Sequence, residues 1–543
     1  MSYLPPAAFT LEEAHHSGVV HIHGIQEENE NEGGEFVNVE LQSPALAAVP
    51  APEPMASTNG DIKHQPLDHA LQTSSQSHLA DFDTPKKSDI HSMEIDSNPS
   101  KPANGEETSN KSLRNATWLS CFFLITTDIL GPTSAPWAMA QLGYVPGTLI
   151  YLGLGGIALY TGILLWRMYL RLDNENHRIL NYSDLVQRIF GARARHATNI
   201  LQSIQLLFNV AVIIIGNAQG LSQVSNGKVC FVVLALIWTI AGMLIGQIRA
   251  LHNLRGLSNV AIWLNFLVIF ITLGVVCNSL PNFAAASAQN AVAIGPITAS
   301  AFVYDTLWTT KLVGVMQCVY AYGGAMIFIE IMAEMKDPRE FIKSLLSAEA
   351  IIIIAYLIFG LVVYSKQGQF TINPANQGIS VYEWQTVTNV FNLVGALIAA
   401  GLYGNIGLKV IYQCIVKDVF KGPELDSKNG RYLWTVLVLG YWALAFIIAS
   451  AIPQISNISG LVAAICILQF SYTFPFFMQL GLDYQSMAER VWWKKITFMN
   501  CLHLTLGLAS LALAGLGAYS AVEGIIAAAA TPQGSSFTCA SPV

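Results

Sequence analysis

Apolar stretches of about 20 residues recur along most of this chain, and they restrict it to one structural class. Each stretch is long enough to cross the hydrocarbon core of a bilayer as a helix. Lipid offers no hydrogen-bond partners to the backbone, so only helices and closed barrels span membranes. Of the 543 residues, 53% are hydrophobic and only 12% are charged. The composition predicts an all-α integral membrane protein embedded in a lipid bilayer, with no nucleic-acid partner.

Hydropathy predicts eleven membrane-spanning helices, near residues 117–139, 146–167, 198–221, 228–248, 258–279, 311–333, 344–365, 387–411, 431–451, 456–480 and 496–523. The loops on the same side as the N-terminus carry 19 Lys and Arg residues, and the loops on the other side carry three. Because Lys and Arg are enriched in cytoplasmic loops, the N-terminus is predicted to be cytoplasmic and the C-terminus not. Three regions follow: a tail (1–115), an eleven-helix domain (116–523) and a short non-cytoplasmic C-terminal tail (524–543).

The N-terminal tail differs from the rest of the chain in charge and in pattern. Residues 1–115 hold 18 acidic and 6 basic residues and no sustained hydrophobic periodicity. Such a segment buries too little apolar surface to offset its ordering entropy, so we expect a disordered cytoplasmic tail. Its histidine-rich part (15–23) lacks the Cys or paired carboxylates that would complete a metal site. Its lysines are candidate sites for ubiquitin ligases or trafficking adaptors: Lys63, Lys86 and Lys87.

Two spans, the first and the sixth, carry helix-breaking residues at corresponding positions. The first contains Gly131-Pro132, and the sixth contains Gly323-Gly324. Broken helices are tolerated in a membrane where their freed backbone groups line a cavity or are covered by protein. Matching breaks in two halves of a chain indicate the binding site of a secondary transporter. A simple kink or close helix packing is the alternative for each break taken alone.

The two breaks offer opposite charges to a ligand. After the first, backbone N–H groups and hydroxyls can receive a carboxylate, from Gly131, Thr133 and Ser134. At the second, freed carbonyls suit an ammonium group, around Tyr320, Ala321, Tyr322 and Gly323. An α-amino acid carries both groups close together. No Lys or Arg lies beside either break to pair an acidic side chain, which favours neutral substrates, large or aromatic ones among them.

The residues around the breaks resemble the amino acid/auxin permease family. The first span continues as Ala135-Pro136-Trp137-Ala138 and then Gly143-Tyr144-Val145-Pro146-Gly147, similar to the family's first-helix signature. The sixth span and its exit resemble the family's Gly-broken helix followed by Glu-Ile and Met-Lys-x-Pro: Tyr320 to Gly324, Glu330-Ile331 and Met335 to Pro338. In the seventh span, Tyr356, Gly360, Tyr364 and Gly368 fall on the family's Tyr-Gly spacing. Ile129 and Pro132 depart from the family's Gly-x-Gly run.

This resemblance covers about residues 113–523 and extends to fungal permeases for neutral and aromatic amino acids. It implies eleven helices in a five-plus-five inverted repeat of the LeuT-like fold (APC superfamily), with helices 1 and 6 broken and one extra helix. It also implies secondary active transport rather than enzymatic activity, and no cofactor beyond a co-transported proton. The plasma membrane is the first expectation for its location, and the vacuolar membrane is the second.

Ionisable residues inside spans are costly and are therefore functional candidates. A buried carboxyl group that is reached alternately from the two sides can carry a proton, and Asp128 and Glu330 are our candidates. The alternatives are a structural hydrogen bond for Asp128, and for Glu330 a pair with Lys336 or an inner gate. Glu349 and Glu523, near span ends, are expected to face solvent.

Sodium coupling, and amino acid sensing without transport, remain open from the sequence. A common sodium site in transporters of this architecture uses hydroxyls of helix eight, but no Ser or Thr occurs from Asn389 to Cys414. Polar residues on one face of span three, Gln202, Gln205 and Asn209, indicate either a cavity wall or interhelical bonding. One disulfide among the residues near the predicted outer face is an alternative to free thiols: Cys230, Cys277 and Cys539.

Overall fold

The computed structural model describes residues 114, 116–174, 177–249, 252–425, 427–452, 454–486, 498–530 and 536–541. The predicted N-terminal tail lies outside these residues except for Arg114. The described residues form helices and their connections, with no β-sheet among them. The all-α prediction is therefore confirmed for this part of the chain.

The first half of the described chain contains eight helices. They are α1 (Trp118–Ile129), α2 (Ala135–Leu142), α3 (Tyr144–Leu172), α4 (Tyr182–Phe190), α5 (Ala192–Val224), α6 (Phe231–Ile245), α7 (His252–Asn278) and α8 (Phe283–Asn290). A short 3₁₀ helix joins α1 to α2 at Pro132–Ser134.

The second half contains eight more. They are α9 (Trp308–Ala321), α10 (Phe328–Glu334), α11 (Phe341–Gln367), α12 (Tyr382–Ile411), α13 (Lys428–Ala451), α14 (Ile455–Val462), α15 (Phe474–Ser486) and α16 (Phe498–Ala529). A 3₁₀ segment, Gly323–Ile327, separates α9 from α10. Two π-helical segments, Ala463–Ile467 and Gln469–Thr473, lie between α14 and α15.

Within the described ranges, nine helical segments are long and apolar enough to cross a membrane. They coincide with predicted spans two, three and five to eleven. The fourth predicted span is the 15-residue apolar helix α6. The first is divided between α1 and α2, of 12 and 8 residues. The chain is thus a multi-pass membrane protein, while the count of eleven crossings stays a prediction.

The helices are apolar on both their inward and outward faces, as expected of helices between protein and lipid. In α11, Ile352 and Phe359 are fully buried, whereas Ile354 and Ile358 are more than half exposed. Water would make such exposure of isoleucine unfavourable, but hydrocarbon does not. This pattern supports the membrane assignment independently of helix length.

The described residues 536–541 are bonded to the start of α6 and to the end of α13. A disulfide joins Cys230, just before α6, to Cys539. The backbone N–H of Phe537 donates to the carbonyl of Ser450 at 2.9 Å, near the end of α13. Cys277 is a free, exposed thiol. Of the two predicted alternatives, a disulfide or free thiols, the structure therefore has the disulfide, and its partners are Cys230 and Cys539.

Candidate functional site

The first break lies where the sequence predicts it, at Gly131-Pro132. Proline has no N–H group and restricts the residue before it, so a helix ends at such a pair. Helix α1 accordingly ends at Ile129, and Leu130 (φ −73°, ψ 93°) and Gly131 (φ −150°, ψ 68°) are non-helical. The chain resumes as the 3₁₀ turn at Pro132 and then as α2. The prediction of a broken first span is confirmed.

Side chains of distant helices replace the hydrogen bonds that the first break loses. The Tyr356 hydroxyl, on α11, donates to the carbonyl of Ile129 at 2.9 Å and accepts from the N–H of Gly131 at 3.3 Å. The amide of Asn265, on α7, donates to the carbonyl of Leu130 at 3.3 Å. Buried backbone groups without partners are costly, so these two side chains hold the break in its observed form.

The second break also lies at its predicted position. Helix α9 ends at Ala321, and Tyr322 has the non-helical torsions φ −109°, ψ 27°. Beside the break, the hydroxyl of Tyr320 lies 3.4 Å from Oδ1 of Asn209, on α5. The π-helical segments pack behind it, since a Cβ added to Gly323 would lie 3.0 Å from Cδ1 of Ile467. Hydropathy gives no sign of these π-helical segments.

The two breaks touch each other at Gly324. A Cβ added to Gly324 would lie 2.5 Å from Cδ1 of Ile129 and 3.1 Å from Oδ2 of Asp128. Because Gly324 has no Cβ, the second broken helix can pack this closely against the Ile129 side chain at the end of α1. Two segments that are some 195 residues apart in sequence therefore meet, and Asp128 lies where they meet.

Asp128 has one identified hydrogen-bond partner, the hydroxyl of Tyr403 on α12, which donates to Oδ1 at 2.8 Å. As whole residues, Asp128 and Tyr403 are neither fully buried nor exposed. A hydroxyl donor can support a carboxylate, and it can also turn to accept from a protonated acid. The arrangement is compatible with either protonation state.

The seven predicted binding residues differ in their accessibility. Gly131 is exposed, and the side chains of Thr133, Ser134 and Tyr320 are partly exposed, as is Gly323. Ala321 and Tyr322 are only 3% and 2% exposed. The Tyr322 ring lies in an aromatic cluster with Tyr151 and Tyr356, with ring centroids about 6 Å apart. In this conformation, Tyr322 lies in the core, and its backbone is the part next to the break.

Glu330 lies on α10, beyond the second break. Its Oε1 accepts from Nε2 of Gln202, on α5, at 3.3 Å, and Oε2 has no hydrogen-bond partner among the described residues. The ion pair with Lys336 that we considered is not seen in that part of the chain. The polar face of span three therefore bonds to the sixth span at two levels, through Gln202 and Asn209.

Our expectation for Glu349 was wrong. We expected its carboxyl group to face solvent near a span end, but Glu349 is 2% exposed, and its Oε2 has no hydrogen-bond partner within the described residues. The reason is that α11 begins at Phe341, so Glu349 lies two turns inside the helix, on its packed face. Glu523, in contrast, is exposed as expected.

A cavity of about 700 Å³ lies beyond the breaks, between α2, the starts of α9 and α14, and the end of α16. Its lining is almost entirely uncharged, mixes polar with apolar residues, and includes Trp137, Gln141, Asn290, Thr309, Ser456 and Asn457. Asp305 is its one charged residue. None of the predicted binding residues lines this cavity, which lies next to α2 and the start of α9 and is called the vestibule below.

Comparison with known proteins gives a consistent result. The sequence pattern of the family described as "Transmembrane amino acid transporter protein" matches residues 114–520. The chain is 25% identical over 395 residues to a "Transmembrane transporter" of Fusarium pseudograminearum, covering 71% of this chain and 79% of that protein. It is 23% identical over 420 residues to the "N amino acid transport system protein" of Neurospora crassa, covering 75% and 84%. It is 21% identical over 440 residues to "Amino acid permease 6" of Arabidopsis thaliana, covering 74% and 91%.

Proposed function

Because the chain belongs to the transmembrane amino acid transporter family, we propose that it is a secondary active transporter of neutral L-amino acids, large or aromatic ones among them. Transport proceeds by alternating access of one site, formed by the two broken helices, to the two sides of the membrane. The observation that supports this proposal most directly is the contact of the two breaks at Gly324, beside Asp128. The relative from Neurospora crassa, named as an amino acid transport protein, supports the substrate class.

The site receives the two charged groups of the substrate separately. Its carboxylate binds after the first break, at Gly131, Thr133 and Ser134, near the positive end of α2. Its ammonium group binds at carbonyls freed around residues 320–323, with the hydroxyl of Tyr320 near the substrate.

The side-chain preference follows from the absence of positive charge near the breaks. Among α1, α2, α9 and α10, the one basic residue is Lys311, in the first turn of α9. It lies about 14 Å from Tyr320 along the helix axis, at 1.5 Å per residue. The vestibule lining, with its single charge, is also suited to neutral solutes. Preferred transport of glutamate or aspartate over leucine, phenylalanine and alanine would contradict this assignment.

We infer that a proton is the coupling ion and that Asp128 carries it. Asp128 lies at the junction of the two breaks, where a change of access also changes its surroundings. Sodium would require additional oxygen ligands, and α12 offers no Ser or Thr from Asn389 onward. The sodium-coupled carrier and the sensor with little transport are the alternatives that the uptake experiment separates.

The eleven-helix, five-plus-five arrangement and the orientation belong to the same proposal. The broken helices are the first and sixth predicted spans, as an inverted repeat of five requires. The excess of Lys and Arg in the predicted inner loops supports a cytoplasmic N-terminus. The disulfide between Cys230 and Cys539 is on the predicted outer side, where thiols oxidise more readily. Residence in the plasma membrane, with the vacuolar membrane second, is tested by imaging the tagged protein.

Uptake of radiolabelled amino acids into reconstituted vesicles tests the proposal. A panel of substrates is offered with a proton gradient and, separately, with a sodium gradient. We expect neutral amino acids to accumulate under the proton gradient. Binding without accumulation under either gradient would favour the sensor, and accumulation that follows sodium and ignores pH would defeat the proton mechanism.

Asp128→Asn tests the coupling residue. The amide keeps the shape of the side chain and loses the titration, so accumulation against a gradient should be lost while substrate exchange remains. Glu330→Gln is the parallel variant. If Asp128→Asn still concentrates substrate under a proton gradient, Asp128 does not carry the coupling proton. Glu330, or neither of these two residues, then has that role.

A further inference from the structure

Glu349 is a fully buried carboxyl group to which the proposed mechanism assigns no role. It lies on α11 at 2% exposure, on the same face as the fully buried Leu345 and Ile352. Its Oε2 has no hydrogen-bond partner among the residues that the structure describes. Ionisable residues are rare inside membrane spans and are retained for a reason. We therefore asked what surrounds this group and what could change its surroundings.

Helix α3 packs against α11 one turn before and one turn after Glu349, through two glycines. A Cβ added to Gly162 would lie 2.9 Å from Cδ2 of Leu345, one turn before Glu349. A Cβ added to Gly155 would lie 3.0 Å from Cδ1 of Ile353, one turn after Glu349. The absence of side chains at these glycines lets α3 and α11 approach closely, as small residues do in membrane proteins. Water therefore has little access to the carboxyl group in this conformation.

Among the residues that the structure describes, the titratable groups that interact with Glu349 are tyrosine hydroxyls. Its carboxyl group interacts electrostatically with Tyr322 beside the second break, with Tyr472 in the π-helical segment, and with Tyr356 on its own helix. The hydroxyl of Tyr322 has no hydrogen-bond partner in the described part of the chain, and that of Tyr472 donates to the carbonyl of Leu154 at 3.4 Å. No ion pair to Glu349 is formed by the described Lys, Arg and His residues.

An ionised carboxylate in these surroundings would be a buried charge without a counterion, which costs several kcal/mol. We propose that Glu349 is a second proton-binding site of the transport cycle, occupied in this conformation and emptied when the second break moves. The proposal rests on the proposed function, since it gives the proton-coupled carrier a further coupling residue.

The link to transport is the position of two of these tyrosines, Tyr322 and Tyr356. Tyr322 directly follows the last residue of α9, at the second break, so movement of the second broken helix there moves its ring. Tyr356 lies two turns from Glu349 on the same helix face, about 10 Å along the axis, and holds the first break. Rearrangement of either break therefore opens or closes the pocket around the carboxyl group. A carboxyl group with only a packing role would stay protonated in every state.

Infrared difference spectroscopy tests the protonation state without transport. The purified full chain is compared with Glu349→Gln at neutral pH. We expect the carbonyl stretch of a neutral carboxylic acid in the wild-type spectrum and its loss in the variant. The matched control Glu383→Gln, exposed at the start of α12, should keep the band. A difference spectrum that contains carboxylate bands instead would overturn the proposal.

Flux measurements in vesicles test the role in coupling. Glu349→Gln should lose accumulation driven by a proton gradient and should shift the pH dependence of the remaining exchange, to which Asp128 still contributes. Glu383→Gln should behave as wild type. Glu349→Asp, which restores a carboxyl group, should recover coupling with a shifted pH profile, and it serves as the test if the glutamine variant does not fold.

The outcomes separate this proposal from the proposed function. If the wild-type protein accumulates amino acids under a proton gradient and Glu349→Gln does so equally, the second proton site is refuted and the transporter assignment stands. If the wild-type protein transports no amino acid, or does so without regard to pH, the proposed function fails and the second site fails with it.

Discussion

Replacement of Tyr356 by Phe removes one oxygen atom and tests how the first break is held. That hydroxyl makes two hydrogen bonds, one to the carbonyl of Ile129 and one to the N–H of Gly131, at 2.9 and 3.3 Å. The phenylalanine ring keeps the packing with Tyr151 and Tyr322. The variant therefore changes the polar support of the break and leaves its aromatic packing intact.

The magnitude follows from the exposure of the two backbone groups. Ile129 is 5% exposed, so its carbonyl is left largely without a replacement partner, at a cost of about 1–3 kcal/mol. Gly131 is exposed, so water can take over the bond to its N–H, and the cost there is below about 1 kcal/mol. A total of about 2 kcal/mol corresponds to a weakening of substrate affinity of about 30-fold, if binding requires the observed form of the break.

Competition binding of a labelled neutral amino acid to the purified protein gives the affinity, and thermal unfolding gives the stability. Tyr364→Phe is the matched control, because Tyr364 lies on the same helix and its hydroxyl bonds twice to the backbone of Ser300, at 3.0 and 3.4 Å. We expect both variants to lose stability and only Tyr356→Phe to lose affinity. Equal affinities of the two variants would refute the idea that Tyr356 preorganises the site.

Three further variants address other contacts. Gly324→Ala should lower uptake, because its Cβ would lie 2.5 Å from Cδ1 of Ile129 and 3.1 Å from Oδ2 of Asp128. Gly153→Ala, with nothing within 4 Å, should transport normally, and equal uptake by the two variants would contradict the close contact of the breaks. Cys539→Ser should lower the thermal stability by about 2–4 kcal/mol through loss of the disulfide, and an unchanged melting curve would argue against the bridge. Arg114→Gln removes a part-buried ion pair with Asp173 at 2.9 Å and should cost only about 1 kcal/mol, measured as a small, salt-dependent drop in melting temperature.

The positions of the breaks are local properties, and the sequence was sufficient to locate them. Pro132 ends a helix wherever it occurs after one, because its ring and its missing N–H act on its own turn. Gly323 and Gly324 likewise weaken the helix around them. Hydropathy also located the nine long helices, since crossing hydrocarbon requires a continuous apolar stretch that is visible in any window of the chain.

The partners of the breaks depend on packing between distant helices, and the sequence did not identify them. Nothing near Asn265 indicates that its amide reaches the carbonyl of Leu130, 135 residues earlier. Tyr356 stood out only through its spacing, with no sign that its hydroxyl bonds the first break. The choice of Cys539 as the partner of Cys230, over Cys277, likewise depends on how the chain end returns to the helices.

Glu349 illustrates the difference most directly. In the sequence, Glu349 lies in the first third of a predicted span. Hydropathy cannot tell there whether a residue is at the exposed end of the helix or in a buried turn within it. Glu349 is buried because α11 already starts at Phe341, and because two glycines on α3 let α3 and α11 pack closely on either side of it. The sequence alone determined that the chain spans a membrane and where two of its helices break. The tertiary structure decided which groups face each other across the breaks, because that depends on the rotation and depth of each helix against its neighbours.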